Sequence, residues 1–246
     1  MGFDRIRIKS NARLFYKNNT GTSICSLLIY MGIIFGAVIA FTIIGVAAGL
    51  TAGGDEDPAY ALAVNFFSLV VSIATMPLAI GLMGWYRRSI YEKVPLSELF
   101  CFYREGRFMG AVGTQFLVSL YIWLWSFLLV IPGIIKSYSY SQAVFIKAEN
   151  PNISASRAIE LSKKMMEGHK WDMFVLHLSF LGWALLSSIT YHILGIVYVF
   201  PYFYAALAFA YEEIKADAAS RGVIDIHEIS GYDNYYGSGE PDFLRK

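Results

Sequence analysis

Apolar residues fall along this chain in long blocks rather than in stripes. The runs 24–50 and 59–86 contain no charged residue, and each exceeds the ~20 helical residues that cross a hydrocarbon core of ~30 Å. Further apolar windows near 109–131, 134–148, 172–190 and 193–211 complete a set of about six. The pattern predicts an all-α fold, a polytopic transmembrane helical bundle. The last two windows are continuous and divide near Tyr191-His192, because one helix of ~40 residues would overshoot any bilayer. The fourth is short and holds Lys136 and the polar run 137–142, so it must face protein or water rather than lipid.

Between the blocks the period changes to that of amphipathic helices, expected at 3–17, 95–105 and 153–167. In the last of these Ala155, Ala158, Ile159, Met165 and Met166 share a face, and Arg157, Glu160, Lys163, Lys164 and Glu167 lie elsewhere. The pairs Glu160/Lys164 and Lys163/Glu167 each add ~0.2–0.5 kcal/mol to such a helix. These helices are expected to rest on the membrane surface. Glu105-Gly106-Arg107-Phe108 resembles Glu167-Gly168-His169-Lys170, 62 positions later, which points to a parallel internal repeat. The chain thus divides into a basic segment at 1–23, a membrane domain at 24–212 and a mostly disordered tail at 213–246.

Composition agrees: mean hydropathy is +0.48 over 246 residues, and 16% charged residues compares with roughly 25% in soluble domains. A net charge of +1 gives no reason to invoke nucleic acid. The distribution of charge is informative instead. Of 20 Lys and Arg, all but Lys136 fall in the segments that six spans place on one side, so both termini are expected in the cytoplasm. Trp85 and Trp171 then sit at the cytoplasmic interface. The first span is twice the length of a signal-peptide core and is read as uncleaved.

Candidate chemistry is sparse. Cys25 and Cys101 have no metal-ligand or disulfide spacing. His169 and His177 are over two turns apart, too far for one metal together with Asp172. No HExxH, GxSxG, P-loop or GxGxxG occurs, so no enzyme activity and no cofactor are expected. Intramembrane polar residues are the default functional candidates: Asn65, Gln115, Lys136, Gln142 and His177. They line a transport path on one reading and act as helix-packing glue on the other. Pro77 and Pro201 should kink spans two and six, freeing the carbonyls of Ile73 and Val197. Gly32, Gly36, Gly45 and Gly49 form two small-residue pairs on opposite faces of span one, for packing in the bundle or in a homodimer.

The run from Ile131-Pro132-Gly133 through Lys136, Ser139-Tyr140-Ser141, Glu149-Asn150-Pro151-Asn152, Ala158 to Ser162 and Gly168 to Trp171 resembles the domain-of-unknown-function 975 family of bacterial membrane proteins. More distantly, the Pro-Gly turn and following amphipathic helix are similar to the membrane domain of some glycerophosphodiester phosphodiesterases. The resemblance implies a multi-pass protein of the bacterial plasma membrane and brings no catalytic residues. The leading expectation is a non-enzymatic protein that organises anionic lipid or a membrane partner. The alternative is a small transporter or permease-type protein whose polar path is lined by spans two to five.

Overall fold

The structure, a computed structural model, describes residues 3–52, 58–104 and 106–230, with side-chain surroundings at 48–52, 59 and 60 outside the description. All regular structure among the described residues is helical. In chain order the elements are α1 (Arg5–Asn18), α2 (Thr20–Ala52), α3 (Pro58–Ser89), a 3-10 segment (Leu96–Tyr103), α4 (Phe108–Leu128), α5 (Val130–Tyr140), α6 (Ala143–Glu149) and α7 (Ala155–Met165). Then come α8 (Lys170–Leu178), α9 (Leu181–Ile189), a π-helical turn (Gly195–Val199), α10 (Phe200–Ser220) and α11 (Ile226–Ile229).

Among the described residues five helical stretches are long and apolar enough to cross a membrane: Thr20–Ala47, Ala61–Ser89, Phe108–Leu128, Lys170–Ile189 and Gly195–Ser220. The remaining expected span is not one helix. It is α5 followed by α6, broken at Ser141 and Gln142. It nevertheless returns along the whole of α4. Near the tip a Cβ on Gly133 would lie 2.4 Å from Ser126 Oγ, and Lys136 Nζ stands 4.6 Å over the Trp125 ring. Further along, the Tyr121 and Tyr140 rings are 5.9 Å apart, and a Cβ on Gly110 would meet Lys147 Nζ at 2.8 Å. The pairing is antiparallel from end to end.

Two interruptions of these crossings carry the same repair, and a third has a hydroxyl one residue away from the carbonyl it frees. The break between α5 and α6 frees the Ser139 carbonyl and the Gln142 amide, and one hydroxyl from α7 serves both. Ser162 Oγ donates to Ser139 O at 2.8 Å and accepts from Gln142 N at 3.2 Å. Pro201 removes the donor to Val197 O, and Tyr16 Oη from α1 donates to that carbonyl at 2.5 Å. Pro77 lies inside α3, where Tyr103 Oη donates to the neighbouring Ala74 O at 2.7 Å. Unsatisfied carbonyls are costly away from water, so the connecting segments are held to the spans they repair. Pro201 itself sits in the first turn of α10, after the π turn, rather than at a mid-helix kink.

The expected surface helices are therefore docked on protein. The apolar face of α7 (Ala158, Ile159, Leu161, Met165) is buried in the main core, and α1 buries Ile8, Ala12, Phe15 and Tyr16. The 95–105 segment is 3-10 rather than α-helical and presses so closely on α3 that a Cβ on Gly81 would lie 2.1 Å from Leu99 O. Trp85 is likewise core, 2% exposed, with Nε1 donating to Val94 O, while Trp171 is exposed.

Several features recur at the 62-residue offset. Gly106 and Gly168 both take positive φ, +70° and +89°, a conformation glycine adopts without a Cβ clash, and each stands two residues before a helix, α4 or α8. The 3-10 segment ends at Tyr103 and α7 at Met165. Ser126 meets Gly133 at one hairpin tip, and at the other Ser187 Oγ, 61 positions after Ser126, would lie 2.4 Å from a Cβ on Gly195. The second chain reversal passes through Tyr191 and His192, at φ 49° and 63°. The start of α1 is tied to α10, since Asp4 N donates to Glu213 Oε1 at 2.8 Å.

Burial is uneven. No described residue from 28 to 76 is buried, and Phe35, Val38, Ile43, Leu62 and Phe66 are all more than half exposed. Gly32 and Gly36 face open space, with nothing within 4 Å of an added Cβ, so they do not pack span one inside the bundle. Gly45 is half-buried, and the surroundings of Gly49 lie outside the description. The close-packing glycines are Gly81, Gly84, Gly110, Gly133 and Gly195. Gly81→Ala should lower the thermal midpoint in detergent, because backbone must move and overpacking costs ~1–3 kcal/mol. Gly36→Ala, in open space, should leave the midpoint unchanged in the same melting experiment.

Candidate functional site

Hydropathy ends spans two, four and six at charged residues, and the fold gathers those ends. Arg87 is in the last turn of α3, Glu149 ends α6, and Glu212 and Lys215 lie in α10. Arg87 pairs with Glu149 at 2.7 Å and with Glu212 at 2.7 Å; Lys215 pairs with the same two carboxylates at 3.1 and 2.8 Å. Tyr211 Oη donates to Glu149 Oε2 at 2.6 Å. The Arg87 and Glu149 side chains are each 3% exposed. Two cations and two anions leave the cluster neutral, the condition under which buried charges are tolerated. Tyr91, just beyond α3, has its hydroxyl pushed up by burial first and then by the negative charge of Glu212.

α11 covers this cluster. Ile229 is fully buried, Asn150 Nδ2 donates to Glu228 O at 3.0 Å, and the Arg157 guanidinium grips both Glu228 oxygens. That hydrogen bond is the first cause holding the Glu228 carboxyl below its usual range. The tail thus begins later than expected, because 213–220 continues α10 and 226–229 is helical, while 231–246 lies outside the described residues. Beside it His169 Nε2 lies 2.9 Å from Asp217 Oδ2, and Asp217 also receives Arg221 Nε at 2.7 Å. Lys147, 2% exposed, donates to the carbonyls of Pro151 and Ile153 and so fixes the turn into α7.

The five intramembrane polar residues do not form one set. Asn65 is exposed and donates to Ala61 O of its own helix. His177 Nδ1 faces Met173 O of its own helix, and its ring packs edge-on to Tyr138 and Phe203. Lys136 lies over Trp125, so its charge is spent on an aromatic face. Gln142 is 1% exposed beside the Ser139/Ser141/Ser162 group. The Oε1 atoms of Gln115 and Gln142 are buried with no protein hydrogen-bond partner among the described residues. Arg87, Glu149, Glu212, Lys147 and Arg157 were not among the sequence candidates. For Arg87, Lys147, Glu149 and Glu212 the available signal was a position at the edge of an apolar block beside a tyrosine or a turn; Arg157, within α7, carried no such signal.

Charge outside the cluster is asymmetric. Arg7, Arg88, Arg157, Lys164 and Arg221 pair with carboxylates. Among the described residues Lys9, Arg13, Lys17, Lys93, Lys163 and Lys170 make no such pair.

The sequence profile of the family described as "Protein of unknown function (DUF975)" matches residues 66–218. That is more than half of the chain, and it takes in the cluster and the 62-residue recurrence. The chain belongs to this family, a helical multi-pass membrane protein in its architecture. No curated protein and no solved structure matches it.

Two predictions follow from the cluster and its cover. Arg87→Met leaves two buried carboxylates with Lys215 as their one cation and should cost about 3–5 kcal/mol, whereas Arg7→Gln, breaking a half-exposed pair, should cost under ~1 kcal/mol; melting in detergent compares them. The lowered Glu228 pKa means that its contribution is complete above the ordinary carboxyl range and is lost as pH falls through the folded value. Residues around α11 should therefore gain hydrogen exchange on acidification, and Arg157→Gln should produce that exchange already at pH ~7.

Proposed function

We propose that this is a non-enzymatic integral protein of the bacterial plasma membrane that organises anionic lipid, or a membrane partner, around its charged end, with both termini in the cytoplasm. The observation that carries the reading is a group of exposed or half-buried cations with no carboxylate partner among the described residues, including Arg5, Lys9, Arg13, Lys17, Lys93, Lys163 and Lys170. A membrane protein with internally neutralised core charges and unneutralised surface cations attracts anionic headgroups, at roughly 1 kcal/mol per residue near the surface. The bias of 19 of 20 Lys and Arg to one side supports the orientation. Lys164 does not belong to the lipid-facing set, because Glu160 holds it at 3.0 Å.

Thermal unfolding in mixed micelles tests this. Phosphatidylglycerol should raise the midpoint more than phosphatidylcholine does, and the difference should shrink with salt, because exposed charges are screened. Equal midpoints in the two lipids would end the reading. Single cysteines at Gln115 and Gln142, in a background lacking Cys25 and Cys101, separate it from a transporter. Modification by an impermeant thiol reagent at both positions would replace the scaffold with a solvated path.

A further inference from the structure

α1 does not lie alone at a surface. It runs antiparallel to α10, with Asp4 N on Glu213, Tyr202 Oη donating to Lys9 O at 3.3 Å, and Tyr16 Oη on Val197 O. Along one flank of this pair is an open cavity of about 690 Å³ lined by Lys9, Ser10, Arg13, Leu14, Lys17 and Tyr202. Lys9, Arg13 and Lys17 stand at i, i+4 and i+8, within about 80° of one another around the helix. Like charges at this spacing destabilise a helix by ~0.2–0.5 kcal/mol per pair, so the stripe works against α1 unless an anion sits on it.

The protein supplies no such anion among the described residues. Asp4 is turned to its own helix N-terminus, accepting from Ile6 N and Arg7 N, and Glu213 is taken by Arg7 and the Asp4 amide. Lys9 instead donates to Ser179 Oγ at 3.2 Å and stands 5.0 Å over the Phe180 ring. The wall behind the cations is aromatic: Phe180 packs on Tyr202 and Tyr202 on Tyr198, with Trp183 against Tyr198. Leu14 in the lining is exposed at 46%, and so are Leu181 and Leu185 on α9, which follows Phe180, at 52% and 62%. Cations next to aromatic and apolar surface match an amphiphile with an anionic head.

We propose that the cavity between α1 and α10 binds a phosphate group, with Arg13 as the planar donor and Lys9 and Lys17 as point charges, and that the phosphate belongs to an anionic phospholipid whose acyl chain lies along Leu14, Leu181 and Leu185. This rests on the lipid-organising reading and assigns it one site. At about fivefold in affinity per cation, the variant Lys9→Gln/Arg13→Gln/Lys17→Gln should need on the order of a hundredfold more phosphatidylglycerol for half-maximal stabilisation.

The experiment titrates phosphatidylglycerol, phosphatidylcholine or inorganic phosphate into the full-length protein in detergent and follows the thermal midpoint. Two further variants accompany the triple: Arg13→Gln/Lys17→Gln, which leaves the Lys9 contacts intact in case the triple variant fails to fold, and Lys164→Gln as a distant control, because Glu160 holds that cation away from lipid. The expected result is stabilisation by phosphatidylglycerol that is weakened in both α1 variants, unchanged in the control, and not reproduced by inorganic phosphate. Equal stabilisation by inorganic phosphate, lost in the α1 variants, would keep the site but overturn the lipid as the source. Loss in a Lys163→Gln/Lys170→Gln variant and in neither α1 variant would overturn the site and leave lipid organisation standing. Phosphatidylglycerol dependence equal in all variants would overturn the site, and no preference over phosphatidylcholine in the wild type would overturn both.

Discussion

Charge withdrawn from water has to be neutralised where it is buried, and here that requirement is met by side chains from three helices at once. Neither Arg87 nor Glu149 has water to fall back on, each being 3% exposed. Each carboxylate is shared between Arg87 and Lys215, so the ends of α3, α6 and α10 are pinned to a common point. The desolvation cost makes the arrangement cooperative, because α3 or α6 leaving strands charge on the others. Everything nearby then has a fixed frame: α11 can bury Ile229 in the core beside the cluster, and α7 is placed where its hydroxyl and apolar face are both used. Away from that point the chain behaves differently, and the α2–α3 hairpin runs out with no described residue buried between 28 and 76.

A second regularity concerns backbone rather than charge. The interruptions at Ser141-Gln142 and at Pro201 are each matched by a hydroxyl from a segment outside the crossing, Ser162 and Tyr16, and Tyr103 reaches Ala74 O, next to the carbonyl that Pro77 frees. The membrane's intolerance of bare carbonyls thus decides where the amphipathic segments go. A helix with one apolar face can rest on lipid or on protein with similar burial of area; the hydroxyls choose protein.

What could be read from the chain follows from the range of each signal. Hydropathy is a local average, and it located five crossings and the reversal at Tyr191-His192. The Pro201 rule identified Val197 O as lacking its donor, but nothing in local spacing designates Tyr16, 181 positions away, as the replacement. Gly32 and Gly36 have the small-residue spacing of a packing face, yet Gly133 and Gly195, without a partner glycine at that spacing, are the ones pressed against serines. The spacing says a close approach is possible, and only the neighbour decides whether it occurs. The polar candidates were chosen by depth in an apolar block, a criterion that passes over Arg87, Glu149 and Glu212 because charge is what ends the block. The recurrence at 62 residues was visible in four residues around a glycine, and its extent emerges only when helix ends and hairpin tips are compared.

The shared hydroxyl at the break between α5 and α6 also bears on how the protein is made. Synthesis proceeds from the N-terminus, so residues 130–149 emerge while Ser162 is still to come. Until it arrives, the Ser139 carbonyl and the Gln142 amide have no partner from α7, and in lipid alone they would stand bare. This crossing therefore cannot be released into the bilayer as a finished, independent helix. It has to stay against α4, or in contact with water, until α7 has followed and turned back onto it. The smallest unit that can be inserted in final form is α4 through α7, a block that ends well after its last membrane-crossing window has left the ribosome.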